Sequence, residues 1–287
     1  SPLSSRPTYT ETENDLTVKA NKRTFIFSKK DGQLKGVSVD NRKISFANGP
    51  RFIGARRADR SLDQFYNHDD EKAKEKDRTY SEFPDAAVFT KLDVKQDGGD
   101  LVVTANYKLG NLDKAQWTIN PSGDLALDYT YNFSGVVDLM GIRFDYPEDQ
   151  VISKRWLGAG PYRVWQNRIH GTQYDVWEND YNDPIPGETF TYPEFKGYFG
   201  DVSWMNIQTK EGTISLTNET PDAYIGVYQP RDGRDRLLYT LPESGISVLN
   251  VIPPVRNKVN STDLCGPSSQ PKWVNGPQTG RVIFRFM

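Results

Sequence analysis

Few side chains in this sequence are suited to proton transfer near neutral pH. The chain has two histidines, His68 and His170, and histidine is the residue whose ordinary pKa lies closest to neutrality. His170 could act as a general acid, with Glu178 or Glu194 as the general base, because such a pair can exchange protons with two oxygens of one small substrate. His68 lies in a charged stretch, and no Gly-x-Ser-x-Gly elbow is present. The sequence therefore does not favour a serine hydrolase.

Metal-binding and cofactor patterns are weak. The single cysteine, Cys265, excludes an intrachain disulfide and a thiolate zinc site, and no phosphate-binding or dinucleotide-binding motif is present. Residues 178–183 read ENDYND, and the carboxylates of Glu178, Asp180 and Asp183 are of the kind that calcium prefers. The stretch lacks the glycine and the distal glutamate of an EF-hand, and an ordinary solvated loop explains it as well. We therefore expect no cofactor, with a calcium ion at these carboxylates as the weaker alternative.

Aromatic residues are concentrated in the stretch 156–204. A flat ring can cover the apolar face of a pyranose while neighbouring polar groups bind its hydroxyls. Trp156 and Trp204 are expected in the core, because a sandwich of this size needs large side chains. Trp165 and Trp177 lie among polar residues, so a core position and a cleft or interface position both remain open for them. The candidates for contact with a carbohydrate or a neighbouring domain are Trp165, Arg168, Trp177 and Glu194.

The elements that must position these residues are predicted to be strands. Turns spaced about ten residues apart indicate an all-β, antiparallel sandwich, and the Asp31-Gly32 turn between alternating segments indicates a hairpin. Residues 59–82 carry mixed charges without an apolar stripe, and we predict a solvated insertion there, part helix and part loop. Strands are predicted at 15–20, 24–28, 33–39, 87–95, 101–108, 114–120, 124–133, 139–146, 202–208, 213–218, 224–228 and 280–286.

The composition limits the partners that this chain can be expected to have. A net charge of −2 over 287 residues gives no reason to expect nucleic acid or an anionic membrane. The sequence has no apolar run of about 18 residues, so we predict no transmembrane helix. The first residues lack the apolar core of a signal peptide, and nothing distinguishes a bacterial cytoplasmic, periplasmic or secreted location. A homo-oligomer is compatible with these features.

One segment resembles a known family. Residues 156–161, WLGAGP, followed by Arg168, resemble the W-x-G-x-G-P…R signature in the C-terminal domain of β-galactosidases of glycoside hydrolase family 2. Glu194, Gly197 and the DVSW of residues 201–204 resemble the E-N-G…D-V-R-W segment of that family, with one extra residue between the glutamate and the tryptophan. Upstream, residues 21–34 resemble the opening strands of the domain.

The resemblance implies a fold and a role. The fold would be one galactose mutarotase-like antiparallel supersandwich over residues 15–287, preceded by a linker or domain entry over 1–14. The chain would be an accessory, carbohydrate-associated domain that follows a catalytic barrel in a longer polypeptide, with the catalytic carboxylates on that barrel and not in this chain. In the family, this domain can contribute a tryptophan to the galactose-binding wall. By position it falls near residues 245–249, where this chain has none.

Two other functions remain open from the sequence. The first is a stand-alone mutarotase-like sugar 1-epimerase, in which His170 is the acid and Glu178 or Glu194 the base. The second is a carbohydrate-binding sandwich module without catalytic activity.

Overall fold

A computed structural model describes residues 5–57, 79–181, 197–228, 241–255 and 266–287. Almost all regular structure in these ranges is extended. The strands are β1 (Thr8–Glu11), β2 (Asp15–Ala20), β3 (Arg23–Ser28), β4 (Leu34–Val39), β5 (Arg42–Ile44), β6 (Ala47–Arg57), β7 (Tyr80–Glu82), β8 (Val88–Asp97), β9 (Asp100–Lys108), β10 (Leu112–Ile119), β11 (Leu125–Asn132), β12 (Gly135–Val137), β13 (Leu139–Asp145), β14 (Val151–Gly160), β15 (Gln173–Asp180), β16 (Trp204–Thr209), β17 (Gly212–Asn218), β18 (Tyr224–Val227), β19 (Ile246–Val251), β20 (Lys272–Val274) and β21 (Pro277–Phe286). Within the described ranges, 3-10 helices span Glu148–Gln150 and Pro267–Ser269. Among the described residues, no helix is long and apolar enough to cross a membrane.

The strands form two large antiparallel sheets and one small ribbon. The first sheet has the order β1-β2-β3-β4-β6-β13-β19-β18, with β5 paired to β4 and β7 paired to β6. The second sheet has the order β15-β14-β16-β17-β21-β11-β10-β9-β8, and the ribbon consists of β12 and β20. This arrangement confirms the predicted all-β supersandwich.

The main core lies between the two sheets, and the alternation of the strands places residues in it. In β2, Leu16, Val18 and Ala20 are buried while the residues between them are more exposed, as expected when one face of a strand packs inward. Aromatic rings dominate the centre of this core. Phe46 and Phe144 stack with their centroids 4.7 Å apart.

A second apolar cluster, here called the outer cluster, covers the opposite face of the first sheet. Ile53 and Leu139 belong to it, whereas Phe52 and Met140, their neighbours along β6 and β13, point into the main core. The central strands of this sheet are therefore apolar on both faces, and the outer face must be covered by chain from elsewhere. Part of that cover is the loop after β14, which contributes Val164 and Trp165. Tyr198, which lies before β16 and pairs with Val164 in an isolated antiparallel bridge, belongs to the same cluster.

Two predicted boundaries differ from the structure. The predicted linker over 1–14 contains β1, which pairs with β2 through Thr8 and Lys19, because main-chain hydrogen bonds can add an edge strand without any apolar side chain. Most of the predicted insertion over 59–82 lies outside the described residues. Its last part is β7, an edge strand on β6.

Candidate functional site

The WLGAGP motif is the end of strand β14. Trp156 is fully buried, and its indole lies edge-on to Phe199 at 4.9 Å between centroids. The indole nitrogen donates a hydrogen bond to the Ala159 carbonyl at 2.9 Å, which ties the side chain to its own strand. The predicted core position of Trp156 is confirmed.

The two glycines of the motif permit close approach. A Cβ on Gly158 would stand 3.0 Å from the Cα of Val202, and one on Gly160 would stand 2.5 Å from the indole nitrogen of Trp177. Trp177 is therefore half-buried against the main chain of β14, and its indole nitrogen donates to the Gln173 carbonyl at 3.2 Å. The two glycines therefore let β14 pack closely against Trp177 on β15 and against Val202, which precedes β16.

Trp165 lies in the outer cluster. Only 3% of its surface is exposed, and its ring meets Tyr198 edge-on at 5.7 Å and 83°. Trp165 and Arg168 close a tight turn, in which the Arg168 amide donates to the Trp165 carbonyl at 2.9 Å and the Arg168 side chain is exposed. Burial favours the core alternative for Trp165, while Arg168 stays available for contact.

Asn167, within this turn, ties it to the segment that follows β19. Asn167 donates through Nδ2 to the Val255 carbonyl at 2.9 Å and accepts from the Val255 amide through Oδ1 at 2.8 Å. The reciprocal pair satisfies both main-chain groups of Val255, as a strand partner would. The turn is thereby held over the outer cluster.

The acid and base of the epimerase hypothesis are not in contact in the described residues. His170 is exposed, and its carbonyl accepts a hydrogen bond from the Tyr162 hydroxyl at 3.1 Å. Glu178 is exposed on β15. It lies five residues beyond Gln173, the first residue of that strand, which corresponds to about 16 Å along the strand, whereas His170 precedes the strand. Glu194, the other candidate base and a contact candidate, lies outside the described residues.

The predicted calcium ligands are only partly described. Glu178 and Asp180 lie on the exposed face of β15, and Asp183 lies outside the described residues. Within the described ranges, no three His, Cys, Asp or Glu side chains come close enough together to hold a metal ion. The calcium ion stays a prediction.

An apolar patch covers the outer face of the second sheet at its β15 edge. Val176 is paired with Leu157 on β14, which is paired in turn with Trp204 on β16, so the three side chains form one row across the sheet. Tyr174 extends the patch, and its hydroxyl lies 2.6 Å from Ser203 Oγ. The predicted core position of Trp204 is therefore wrong. The residue starts β16 on its outer face and is half-buried, because only every second residue of the strand faces the core.

A pocket of about 400 Å³ lies where four strands of the first sheet end. The starts of β6 and β19 and the ends of β13 and β18 meet there, because neighbouring strands run antiparallel. Its polar lining comprises Ser45, Asn48, Asp145, Tyr146, Glu148, Tyr228, Glu243 and Ser244. The pocket thus combines carboxylates, an amide and a hydroxyl on the rigid ends of strands.

The carboxylate of Asp145 is held in place from two sides. It accepts a hydrogen bond from Asn48 Nδ2 at 2.8 Å, and it forms an ion pair with Arg51. On the opposite wall, Arg143 donates to the Glu243 carbonyl at 2.6 Å and forms an ion pair with Glu82. The backbone on both sides of the pocket is therefore anchored to charged groups of the sheet.

Tyr146 and Tyr228 form the floor of the pocket, and both hydroxyls donate hydrogen bonds to other groups of the protein. Tyr228 donates to the Tyr146 carbonyl at 2.6 Å, and Tyr146 donates to Glu211 Oε2 at 2.8 Å. Burial is the main cause that raises the pKa of both phenols above its ordinary value. Both therefore remain neutral hydrogen-bond donors at physiological pH.

Glu211 links the two sheets behind the pocket. It lies between β16 and β17 and accepts hydrogen bonds from the Ser45 amide at 2.9 Å and from Ser45 Oγ at 2.6 Å. Burial alone would raise the pKa of Glu211, but the bonds from Ser45 and Tyr146 and the charge of Lys43 outweigh it, so the pKa lies below its ordinary value.

Comparison with known proteins settles the family. The sequence model of the beta galactosidase small chain family matches residues 19–257. The chain belongs to the beta galactosidase small chain family. No curated protein sequence matches this small-chain domain significantly.

Solved structures give the fold of the small-chain domain. A galactose 1-epimerase from Lactobacillus acidophilus NCFM aligns with 99% coverage of both chains, a TM-score of 0.50 and 9% sequence identity. An α-N-acetylgalactosaminidase from Bifidobacterium bifidum has a TM-score of 0.44 and 12% identity, over 94% of this chain and 36% of that protein. A GalM/aldose epimerase homologue from C. elegans has a TM-score of 0.40 and 8% identity, over 98% and 99% of the two chains. The likeness to the first confirms the galactose mutarotase-like fold.

The pocket of this small-chain domain was missed by the sequence analysis. Its residues come from four separate parts of the chain, and none of them belongs to a spaced motif. The only local signal is at residues 145–148, DYPE, where polar and turn-forming residues directly follow an apolar strand. That pattern is common at strand ends and does not indicate a site by itself.

Proposed function

We propose that this chain is an accessory, carbohydrate-associated domain of a β-galactosidase-type glycoside hydrolase. It shapes the rim of the active site and packs on neighbouring domains, among them the catalytic barrel of the same polypeptide. The observation that carries the proposal is the family match over residues 19–257. The separation of His170 from Glu178 supports it as well, because an accessory domain needs no acid–base pair of its own.

The apolar patch at the β15 edge is the surface we assign to domain packing. Val176 is 42% exposed, and with Tyr174, Leu157 and Trp204 it forms a contiguous apolar area on one face. Contiguous exposed apolar areas of this kind mark interaction surfaces in soluble proteins. Of the four predicted contact residues, Trp177 lies on β15 but packs against the main core, and Arg168 is exposed in the loop between β14 and β15.

Expression of the chain alone and together with the barrel of its polypeptide tests the proposal. We expect the isolated chain to show no hydrolysis of a chromogenic β-galactoside, and to co-elute with the barrel in size-exclusion chromatography. Val176→Lys should weaken co-elution, because it places a charge in the packed surface. Val88→Lys is the matched control, since Val88 is 44% exposed on the opposite edge of the same sheet. Turnover by the purified chain would contradict an accessory role.

A sugar 1-epimerase is the alternative that the same protein sample can test. Polarimetry of freshly dissolved galactose would follow anomer equilibration with and without the chain. We expect no acceleration, because His170 is exposed and has no carboxylate partner among the described residues. Acceleration that disappears in His170→Ala would favour the epimerase over the accessory domain.

A further inference from the structure

Strand β8 forms one edge of the second sheet. It pairs with β9 on one side, and no described strand pairs with its other side. The strand is ten residues long, and seven of these residues are exposed. A long exposed edge presents a row of amide and carbonyl groups to which another strand can add. The edge therefore has the geometry of a pairing surface.

The hairpin between β8 and β9 shows which main-chain groups point outward. Asp97 pairs with Asp100 across the two-residue turn Gly98-Gly99, and the residues that flank such a turn form a hydrogen-bonded pair. Hydrogen-bonded and non-hydrogen-bonded pairs alternate along an antiparallel ladder, so every second residue back from Asp97 bonds to β9. The residues whose amides and carbonyls point to the free edge are therefore Leu92, Val94 and Gln96.

The outer face of β8 carries charges of alternating sign. The charged residues, all exposed and every second one along the strand, are Lys91, Asp93, Lys95 and Asp97. Lys91 Nζ lies 2.8 Å from Asp93 Oδ1, yet the two side chains are 67% and 48% exposed and remain accessible to a second chain. On the opposite face, Leu92 and Val94 are half-buried against the main core.

We propose that two copies of this chain dimerise by antiparallel pairing of β8 with itself, about a twofold axis at Val94. In this register Val94 pairs with the partner's Val94, and Leu92 pairs with the partner's Gln96. The amides and carbonyls of all three residues then have hydrogen-bond partners, because the three residues are those that point to the free edge. The apolar side chains of Leu92 and Val94 are covered further by the second copy.

The charge pattern selects this register. About an axis at Val94, Asp93 faces the partner's Lys95. Lys91 likewise faces the partner's Asp97, and the symmetry repeats both attractive pairs. An axis at Asp93 or at Lys95 would instead place each of these residues opposite its own copy. Lysine on an edge strand ordinarily discourages pairing with another chain, but here each lysine meets an aspartate.

Pairing of one edge with itself gives a closed assembly. Both copies use the same surface, so the dimer has no free β8 edge left, whereas pairing of β8 with a different edge would continue into a fibre. The dimer goes beyond the accessory role proposed above and does not depend on it. β15, which we assign to domain packing, lies at the opposite edge of the sheet, so either proposal can fail while the other stands.

Sedimentation equilibrium of the 287-residue chain tests the dimer. We expect the mass to rise from 32.6 kDa towards twice that value as the protein concentration increases. The Kd should be on the order of 0.1 mM, because one strand pair buries an area at the low end of specific interfaces. A monomer at all concentrations up to about 1 mM, or growth beyond a dimer, would overturn the proposal.

Charge variants test which side chains meet. Lys95→Glu places like charges opposite each other twice, so the dimer Kd should rise about tenfold or more. Asp93→Lys combined with Lys95→Glu restores opposite charges and should return the Kd to within about threefold of the original. Lys114→Glu is the matched control and should leave the Kd unchanged, because Lys114 is exposed on β10, two strands from the edge. A dimer that Lys95→Glu leaves intact, or that the double variant does not restore, would contradict the register.

A cysteine cross-link locates the axis. Val94→Cys in a Cys265→Ser background should form an intermolecular disulfide on mild oxidation, because Cα atoms of a hydrogen-bonded pair lie about 5.5 Å apart, within disulfide range. Leu92→Cys in the same background is the control. Its symmetry mate lies four residues further along the partner strand, about 13 Å away, which is too far for a disulfide. Cross-linking of neither variant, or of Leu92→Cys as fast as Val94→Cys, would refute an axis at Val94.

Discussion

Truncation of Trp165 tests whether the loop after β14 is part of the hydrophobic core. The residue was a candidate for contact with a carbohydrate, yet it lies in the outer cluster, edge-on to Tyr198. Trp165→Ala removes the whole indole and leaves the main-chain turn with Arg168 unchanged. If the indole packs as described, its loss opens a large cavity between the loop and the first sheet.

The expected cost is large. Truncation of a buried tryptophan to alanine destabilises a protein by about 3–5 kcal/mol, because transfer energy is lost and a cavity remains. The edge-on contact with Tyr198 accounts for about 0.5–1.5 kcal/mol of this. For a domain of this length, about 2 °C is lost per kcal/mol, so the melting temperature should fall by about 6–10 °C.

Urea denaturation and calorimetry of two variants measure the effect. Trp273→Ala is the control, because Trp273 is 73% exposed on the ribbon strand β20 and should cost about 0.5 kcal/mol or less. The urea midpoint should fall for Trp165→Ala with an unchanged slope. Equal stability of the two variants would refute the core position of Trp165. Weaker binding of a saccharide by a fully stable Trp165→Ala would restore it as a contact residue.

Three further substitutions test other parts of the structure. Glu211→Gln should lower the free energy of unfolding by about 1 kcal/mol at pH 7, after allowance for solvent screening, and urea titrations from pH 3 to 8 should show the loss shrinking in acid. Gly160→Ala should destabilise by about 1–3 kcal/mol in calorimetry, because the new methyl group collides with the Trp177 indole. Asn167→Ala should cost about 1–3 kcal/mol and speed proteolysis of its loop, because both main-chain groups of Val255 lose their partner.

The sign of the pH effect follows from the lowered pKa of Glu211. A carboxyl group with a lowered folded-state pKa stabilises the protein above its ordinary value of 4.5, and this stability is lost as the pH falls through the folded-state value. A difference between Glu211→Gln and the original chain that grows in acid would contradict this reasoning. A Gly160→Ala variant of unchanged stability would mean that the Trp177 indole does not pack against Gly160. A stable and protease-resistant Asn167→Ala would mean that the loop is held by other contacts.

Strands that pack on one face were predictable from local pattern. Residues 15–20 alternate and form β2 with the predicted bounds. The Asp31-Gly32 turn was also correct. Gly32 adopts a positive φ of 73°, which glycine tolerates, and the Asp31 side chain accepts from the Gln33 amide at 3.0 Å. These signals depend on neighbouring residues alone, so no knowledge of the fold was needed.

Two strands that pack on both faces, β6 and β19, were missed. Seven of the 11 residues of β6 and five of the six residues of β19 are buried, and a strand with two apolar faces has no alternation to detect. No strand was predicted over the WLGAGP segment, although β14 runs through it to Gly160. Glycine and proline are typical of turns, but Gly158 and Gly160 here allow Val202 and Trp177 to approach β14 closely.

By itself, the sequence determined the all-β class, the single-faced strands and, through the WLGAGP motif, the family. Local alternation, turn residues and one short signature were sufficient to predict these properties. Tertiary structure alone decided that Trp165 is buried, that Trp204 faces outward, and that Asn48, Asp145 and Glu243 line one pocket. The physical reason is that burial and pocket formation depend on contacts between strands far apart in the chain, and no local pattern encodes which strand ends meet.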